Sequence, residues 1–261
     1  MKNSIRLAAA GFAVLVFLSQ AGIADAAEVK VLSVLAMRAV MQDLGPKFER
    51  ATGHKLAISF ATAGAAVKRA QGGEAADVVI ATRQGIDGLV KNGKAAADNV
   101  TALASAGISV AIRKGAPKPD ISSPDALKRT LLAAKSISYV DPASGGASGI
   151  HFAKVLDRLG IANEMKSKTV FPNPKTPAEV GVLVANGEAE IGVHIIVELI
   201  SVAGIDIVGP LPGDLQNTIV FAAAVMASAK DAEAAKALVN FLRTPEAVAV
   251  IKAKGMEPAT R

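Results

Sequence analysis

From residue 29 onward the chain alternates short apolar runs with longer amphipathic segments, and this alternation restricts the fold more than any other feature of the sequence. Apolar runs of four to eight residues are typical of buried strands, whereas a 3.6-residue period is typical of helices. Strands separated by helices indicate an α/β protein, in which helices cover both faces of the sheets. The sequence therefore predicts an α/β fold with parallel-dominated sheets.

Strands are predicted wherever a short apolar run is bounded by turn residues. These runs are 29–34, 55–60, 77–81, 107–112, 136–140, 191–196 and 219–226. Helices are predicted where proline or a capping residue precedes an amphipathic stretch and where glycine follows it. The predicted helices are 37–48, 126–134 after Ser123-Pro124, 150–159 before Gly160, 232–242 and 245–254, and one opened by the capping box Thr176-Pro177-Ala178-Glu179 that ends near Asn186-Gly187.

The first 26 residues have the pattern of a secretory signal peptide. Lys2 and Arg6 precede an apolar run, 7–18, and Ala24-Asp25-Ala26 supplies a small-x-small cleavage pattern after it. A run of twelve apolar residues is short for a membrane span, which needs about 20. We therefore expect cleavage near Ala26 and export to the periplasm as a monomer, without stable insertion in the membrane.

Charge and composition narrow the choice of ligand. The formal charge is +6, but the basic residues are scattered, and the aromatic residues number only eight Phe and one Tyr, with no Trp. Binding of single-stranded nucleic acid needs aromatic side chains among basic ones, so nucleic acid is not expected. The chain has no Cys, which excludes disulfides, thiolate metal ligands and a Cys nucleophile. We expect a small anionic molecule as the ligand, with no metal and no cofactor.

The residues that follow the predicted strands are small, hydroxylic or cationic. In α/β sheets, ligands bind at the carboxyl ends of the strands, where backbone amides at helix starts can approach an anion. The segment SGGASG, 144–149, opens directly onto a predicted helix, although it could also be a flexible turn; it matches neither nucleotide-binding pattern. The candidate ligand-binding residues are Met37, Arg38, Thr62, Thr82, Arg83, Ser144, Gly145, Gly146 and Ser148.

Several short landmarks resemble the molybdate-binding family of periplasmic solute-binding proteins in their order and spacing. They are Lys47-Phe48-Glu49 with Thr52-Gly53, Gly73 to Asp77, Asp141-Pro142, Asn186 to Gly192, and Phe241-Leu242 with Pro245-Glu246-Ala247. The resemblance covers essentially the whole chain after the signal peptide. It implies the type II periplasmic-binding fold, in which two α/β lobes close on an anion in the cleft between them. On that basis lobe one is 27–110 with 223–261, and lobe two is 111–222.

The chain departs from this family at the positions that hold the oxyanion. Family hydroxyls after the first and second strands fall here on Ala36 and on Ala63 or Gly64, and the family tyrosine falls on or beside His194. Each lost hydrogen bond to a charged group is worth about 1.5–3 kcal/mol. Arg38 stands where the family usually has a small polar residue. These departures favour a larger, carboxylate-bearing ligand over molybdate.

Two function classes remain open at this point. One is a solute-binding protein that delivers molybdate or another small anion to an ABC permease. The other is an enzyme, because an aconitate isomerase is similar to this same family and needs no metal or redox cofactor. The interconversion of cis- and trans-aconitate requires carboxylate binding and one acid/base group. The isomerase is our favoured hypothesis.

The candidates for proton transfer are histidines, whose imidazole titrates near neutral pH. His194 is the first choice and His151 the second. Each could instead have no catalytic role. His194 lies in an apolar strand and could be a core residue, and His151 lies in the first turn of a helix and could be a surface residue. Arg83 could likewise form an ion pair with Asp87 one turn later rather than bind a ligand.

Overall fold

The computed structural model describes residues 26–173 and 179–259. The strands in these ranges are β1 (Glu28–Val34), β2 (Lys55–Ala61), β3 (Val78–Thr82), β4 (Ala95–Arg113), β5 (Ile137–Tyr139), β6 (Ile191–Ile195), β7 (Ile205–Pro210), β8 (Thr218–Met226) and β9 (Glu257–Pro258). The α-helices are α1 (Arg38–Thr52), α2 (Ala63–Gln71), α3 (Arg83–Lys91), α4 (Pro124–Ala133), α5 (Ala147–Arg158), α6 (Ala162–Lys166), α7 (Val180–Ala185), α8 (Ile196–Leu199), α9 (Ala232–Phe241) and α10 (Pro245–Ala253). Short 3-10 helices cover Leu35–Met37, Pro142–Ser144 and Gly213–Leu215.

The strands pair in the order β2-β1-β3-β8-β4-β6-β5, and β7 and β9 also pair with β4. Pairing is parallel between β1 and β2, between β1 and β3, and between β5 and β6. It is antiparallel between β3 and β8 and between β4 and each of its four partners. The prediction of parallel-dominated sheets is therefore wrong for the described strands, because β4 and β8 cross the sheet against the direction of their neighbours.

The long strand β4 belongs to both halves of the sheet. It pairs with β8 as far as Gly107 and with β6 from Ile108 onward. Where its partners change, the Gln216 side chain donates to the carbonyl of Ile108 at 3.0 Å and accepts from its N–H at 3.1 Å. An amide side chain thus takes the place of a strand partner at the crossing. The lobe boundaries expected from the sequence stay a prediction.

Helix ends follow the capping signals of the sequence where those residues are described. The Ser123 hydroxyl accepts from the Ala126 N–H at 3.1 Å, one residue before Pro124 begins α4. Gly160 and Gly187 follow α5 and α7 with φ values of +67° and +79°, which favour glycine. The capping box 176–179 lies outside the described residues except for Glu179, which precedes α7.

A buried carboxylate connects distant parts of the first half of the sheet. Asp77, 4% exposed, accepts from the backbone N–H of Lys30 in β1 and from that of Lys230 before α9, each at 2.7 Å. Hydrogen bonds to a charged acceptor are stronger than neutral ones. Asp77 therefore fixes β1 and the segment after β8 against β3. No helix in the described ranges is both long and apolar enough to cross a membrane.

Candidate functional site

The loops that follow β2 and β5 touch each other through their backbones. The Gly64 N–H donates to the Gly145 carbonyl at 2.9 Å, and the Thr62 hydroxyl donates to the Ser144 carbonyl at 2.6 Å. A Cβ on Gly64 would lie 2.9 Å from the Gly145 Cα, and Gly145 has φ +76°. Only glycine permits both the approach and the backbone conformation. We call this the glycine contact.

Next to the glycine contact lies a small space, the inner cavity, of about 60 Å³. Its walls come from the ends of β1, β2, β3, β5 and β6 and from the start of α5. They are formed by Val34, Leu35, Ala36, Thr62, Ala63, Thr82, Val140, Gly146, Ala147, Ser148, His194, Ile195, Glu198 and Phe221. Because one water needs about 10–15 Å³ by this measure, the cavity has room for a few waters or one carboxylate-sized group.

Three polar side chains form a hydrogen-bonded chain in the wall of the inner cavity. The His194 ring lies with Nε2 3.0 Å from Glu198 Oε2 and with Nδ1 2.9 Å from the Ser148 Oγ. The carboxylate can only accept, so Nε2 carries a proton and donates it to Glu198. In the neutral ring, Nδ1 then accepts from the Ser148 hydroxyl. The basic nitrogen of His194 therefore faces Ser148.

Burial and the carboxylate act in opposite directions on the protonation of His194. Burial disfavours the imidazolium ion, but the charge of Glu198 and its hydrogen bond outweigh it, and they raise the pKa of His194 above its ordinary value. Burial likewise opposes ionisation of Glu198, yet attraction to His194 lowers the pKa of that carboxyl. The pair favours an ionised carboxylate beside a readily protonated imidazole.

The start of α5 supplies backbone donors to the same space. Gly146, Ala147 and Ser148 line the cavity, and the first N–H groups of a helix have no partner within the helix. Gly149 allows this helix start to pack tightly, since a Cβ there would lie 1.9 Å from the Val140 carbonyl oxygen. The SGGASG segment is therefore an ordered helix start, and its amides are suited to an anionic oxygen.

Arg38 lies beside the site rather than in the wall of the inner cavity. Its Nη1 is 3.7 Å from Glu179 Oε1, and its guanidinium lies 5.5 Å from the centre of the Phe60 ring. Burial raises the pKa of Glu179, and repulsion from Glu198 raises it further, against the attraction of Arg38. Arg38 thus faces two carboxylates of the protein itself.

A second, larger space opens on the other side of the glycine contact. This outer basin has a volume of about 550 Å³. It is lined by Ala63, Gly64, Val67, Lys68, Gln71, Thr82, Arg83, Gln84, Gly85, Gly145, Ala147, Ile150, His151, Lys154, Asn217, Thr218, Ile219 and Val220. Its volume is within the range of about 300–1,000 Å³ that is usual for small-molecule sites.

The structure divides the ligand-binding candidates of the sequence between these two spaces. Thr62, Gly146, Ser148 and His194 line the inner cavity, Arg83, Gly145 and His151 line the outer basin, and Thr82 lines both. Three candidates, Met37, Arg38 and Ser144, line neither space. The Met37 side chain is fully buried in the core, and the Ser144 hydroxyl donates to the Asp141 carbonyl at 2.7 Å.

The structure also shows which partners Arg83 and His151 have. Arg83 Nε donates to Asp87 Oδ1 at 2.7 Å, so the expected ion pair forms. His151 donates from Nε2 to the Leu215 carbonyl at 2.8 Å, which orients its ring at the edge of the basin. The residue that sequence reasoning missed is Glu198. Its side chain comes back to His194 because the chain turns from β6 into α8 at Ile196.

Within residues 26–173 and 179–259 no three His, Cys, Asp or Glu side chains are grouped as metal ligands would be. The polar groups gathered at the inner cavity are a hydroxyl, an imidazole, a carboxylate and backbone amides. This set can hold an anionic oxygen and move a proton.

A mixed α/β sheet with an amide-lined cavity at its strand ends is the fold of solute-binding proteins for small anions. The chain belongs to the bacterial extracellular solute-binding proteins, whose family model matches residues 29–257. It is 37% identical over 240 residues to an aconitate isomerase from Pseudomonas sp, with 88% of each chain covered. It is 31% identical over 239 residues to the molybdate-binding protein ModA of Azotobacter vinelandii, covering 89% of this chain and 90% of that one.

A solved structure confirms the fold. The periplasmic molybdate-binding protein of Azotobacter vinelandii superimposes with a TM-score of 0.70 at 20% identity, over 89% of this chain and 100% of that chain. This likeness establishes the type II periplasmic-binding fold that the sequence predicted. The 31% identity to ModA confirms the expected kinship with the molybdate-binding family.

Proposed function

We propose that this chain is an exported aconitate isomerase, which interconverts cis- and trans-aconitate. The observation that carries the proposal is His194, held between Ser148 and Glu198 in the wall of the inner cavity. A base with a fixed tautomer and a hydroxyl partner is more than anion binding requires. The 37% identity to an aconitate isomerase supports the same activity.

The reaction is an allylic proton shift that needs no external reagent. A base removes a proton from the methylene carbon of aconitate, and the electron pair of that C–H bond delocalises over the double bond and the adjacent carboxylates. The proton then returns to the former vinylic carbon as the double bond moves. One C–H bond breaks and one forms, so atoms and electrons balance, and the imidazole ends in its starting state.

In this proposal each polar group at the inner cavity has one task. Glu198 accepts a hydrogen bond from Nε2–H, which leaves Nδ1 of His194 as the base. The Ser148 hydroxyl is hydrogen-bonded to that nitrogen and Ser148 lines the cavity, so the hydroxyl can pass the proton on. The amides at the start of α5 stabilise the charge that develops on a carboxylate oxygen, as an oxyanion hole does.

The size of the inner cavity implies a movement in the catalytic cycle. A space of about 60 Å³ admits one carboxylate-sized group but not a whole tricarboxylate. The substrate can therefore enter only when the glycine contact opens, and closure around it excludes water. We propose that the two expected lobes, 27–110 with 223–261 and 111–222, move apart at this contact.

Turnover by the purified chain tests the isomerase. With cis-aconitate as substrate, formation of trans-aconitate followed by chromatography should exceed the rate in buffer. His194→Gln should lower kcat by about 10²–10⁴-fold, because it removes the acid/base group. His54→Gln is the matched control, since His54 accepts from the Ala27 N–H far from both spaces. Absence of turnover in the wild type, or equal activity of the two variants, contradicts the proposal.

A second candidate function is delivery of a small oxyanion to an ABC permease. The inner cavity has the size of such an anion, and the chain is 31% identical to a molybdate-binding protein. Calorimetric titration of the wild type with molybdate, sulfate and trans-aconitate separates the two candidates. Tight binding of molybdate, with neither binding nor turnover of aconitate, favours transport. In both cases we propose a periplasmic monomer, with the signal peptide removed near Ala26.

A further inference from the structure

The outer basin is separate from the inner cavity although the two share part of a wall. Ala63, Thr82 and Ala147 line both spaces, and the glycine contact stands between them. The Gly64 N–H bond to the Gly145 carbonyl and the Thr62 bond to the Ser144 carbonyl join the two loops at the edge of the outer basin. His194 lines the inner cavity and does not line the outer basin.

The charged side chains that line the outer basin are all cationic, and among the described residues no acidic side chain lines it. Lys68 on α2, Arg83 on α3 and Lys154 on α5 line it from three different helices. Asp87 neutralises one of these cations, because it accepts from Arg83 at 2.7 Å. Two lysines and a guanidinium spread around one concavity favour a ligand that carries several negative charges.

Part of the lining of the outer basin is apolar, beside polar residues such as Gln71, Gln84 and Asn217. The apolar part is formed by Val67, Ile150, Ile219 and Val220. Ile150 is 40% exposed and Val220 is 38% exposed, which makes them two of the few large hydrophobic side chains that face solvent among the described residues. Apolar side chains near cations bind the hydrocarbon face of an organic anion, whereas an inorganic oxyanion gains nothing from them.

We propose that the outer basin is a second binding site, which takes a planar polycarboxylate of the unsaturated or aromatic class. The flat hydrocarbon part lies on the apolar surface, and the carboxylates reach Lys68, Arg83 and Lys154. The site can be occupied while the glycine contact is closed, so it does not depend on chemistry in the inner cavity. It goes beyond the isomerase proposal and does not require it.

Benzene-1,3,5-tricarboxylate is a suitable probe because it is planar, carries three carboxylates and is too large for the inner cavity. Calorimetric titration of the wild-type chain at low ionic strength should show binding that weakens as salt is added. The corresponding tricarboxamide, which has the same ring without the charges, should not bind. No measurable binding of the tricarboxylate to the wild type overturns the proposal.

Two triple variants with the same change in net charge locate the site. K68Q/R83Q/K154Q removes the cations of the basin, and K91Q/R129Q/K252Q removes three exposed cations that do not line it. The first should bind the probe at least tenfold more weakly than the wild type, and the second within about threefold of it. Equal weakening in both variants means that the probe responds only to net charge, and it overturns the proposal.

Ser148→Ala distinguishes the outer basin from the inner cavity. This variant alters only the inner cavity, so it should bind the probe as the wild type does. Loss of probe binding in Ser148→Ala, with binding retained in K68Q/R83Q/K154Q, places the ligand in the inner cavity and overturns the proposal. A failure of aconitate turnover, by contrast, bears only on the isomerase.

Discussion

His194 and Glu198 form a pair whose charges depend on each other. The pKa of His194 is raised, so its stabilising contribution is full below pH about 6.5 and is lost as the pH rises through the folded-state value. The pKa of Glu198 is lowered, so its contribution is present above pH about 4.5 and is lost as the pH falls through its folded-state value. The pair thus stabilises the fold most in the mildly acidic to neutral range.

Replacing Glu198 by Gln should lower the pKa of His194, because burial then acts without the opposing carboxylate. NMR titration of the imidazole resonances measures this directly. In the isomerase assay the rise of kcat/KM with pH should move to lower pH, and the maximum should fall because Nδ1 becomes a weaker base. Glu188→Gln, an exposed change outside both spaces, is the control. An unchanged imidazole pKa in Glu198→Gln contradicts the proposed coupling.

At the scale of single residues, the sequence identified one member of this pair and missed the other. His194 was predicted because its imidazole titrates near neutral pH and it lies at the end of a predicted strand. Glu198 was not, because the apolar run around it was read as strand to residue 196, whereas α8 begins at Ile196. Strand periodicity would have placed residues 194 and 198 at opposite ends of an extended segment. Only the helical turn brings the two side chains together.

Helix starts make up much of both candidate sites. The Thr62 and Thr82 hydroxyls accept from the N–H groups of Ala65 and Gly85 and so cap α2 and α3. Both threonines were predicted as ligand-binding residues, but α2 and α3 were not among the predicted helices. Each helix is only nine residues long and contains glycine, which has a low helix propensity. The signal for each helix start was a threonine at the N-cap position, three residues before the amide that it caps. This signal was not used in predicting the helices.

The glycine contact should be sensitive to a single methyl group. In Gly64→Ala the new Cβ would lie 2.9 Å from the Gly145 Cα, so the two loops must separate. We expect at least tenfold weaker binding of trans-aconitate by calorimetry, because closure around it becomes unfavourable. The expected loss of unfolding free energy is roughly 1–3 kcal/mol.

Gly88→Ala is the matched control for this change. Gly88 lies within α3, and its new Cβ would meet only the Gln71 side chain, at 4.0 Å. Alanine is the better helix former by about 1 kcal/mol, so this variant should be no less stable than the wild type and should bind normally. If Gly64→Ala also binds trans-aconitate normally, the loops do not need to touch when the ligand is bound.

At the scale of the whole molecule, Asp77 joins regions that are 153 residues apart in the sequence. In Asp77→Ala the N–H groups of Lys30 and Lys230 lose their acceptor. Both bonds are partly buried, and a buried donor left without a partner costs about 1–3 kcal/mol, so we expect a loss of roughly 1–3 kcal/mol in the free energy of unfolding. Denaturant titration measures it, with the exposed Asp98→Ala as the control. A loss no larger than that of Asp98→Ala means that water replaces the carboxylate.

The fold class could be predicted from the sequence, but the strand directions could not. Periodicity indicates where strands and helices lie, and the resemblance to a family indicates the architecture. Neither reveals that β4 begins at Ala95, because the segment 95–106 is rich in alanine and carries Asp98 and Asn99 near its start. Alanine, Asp and Asn are depleted in strands, so the pairing with β8 outweighs local preference there.

The continuity of β4 has a mechanical consequence. Because one strand is hydrogen-bonded on both sides of Gly107, any rotation between the two halves of the sheet twists that strand without interrupting it. If the two proposed lobes move, we expect the resistance of β4 to twisting to add to the contacts between them in setting their resting separation. The choice of ligand can then change through the loop residues, while the resting separation of the two lobes changes through the stiffness of β4.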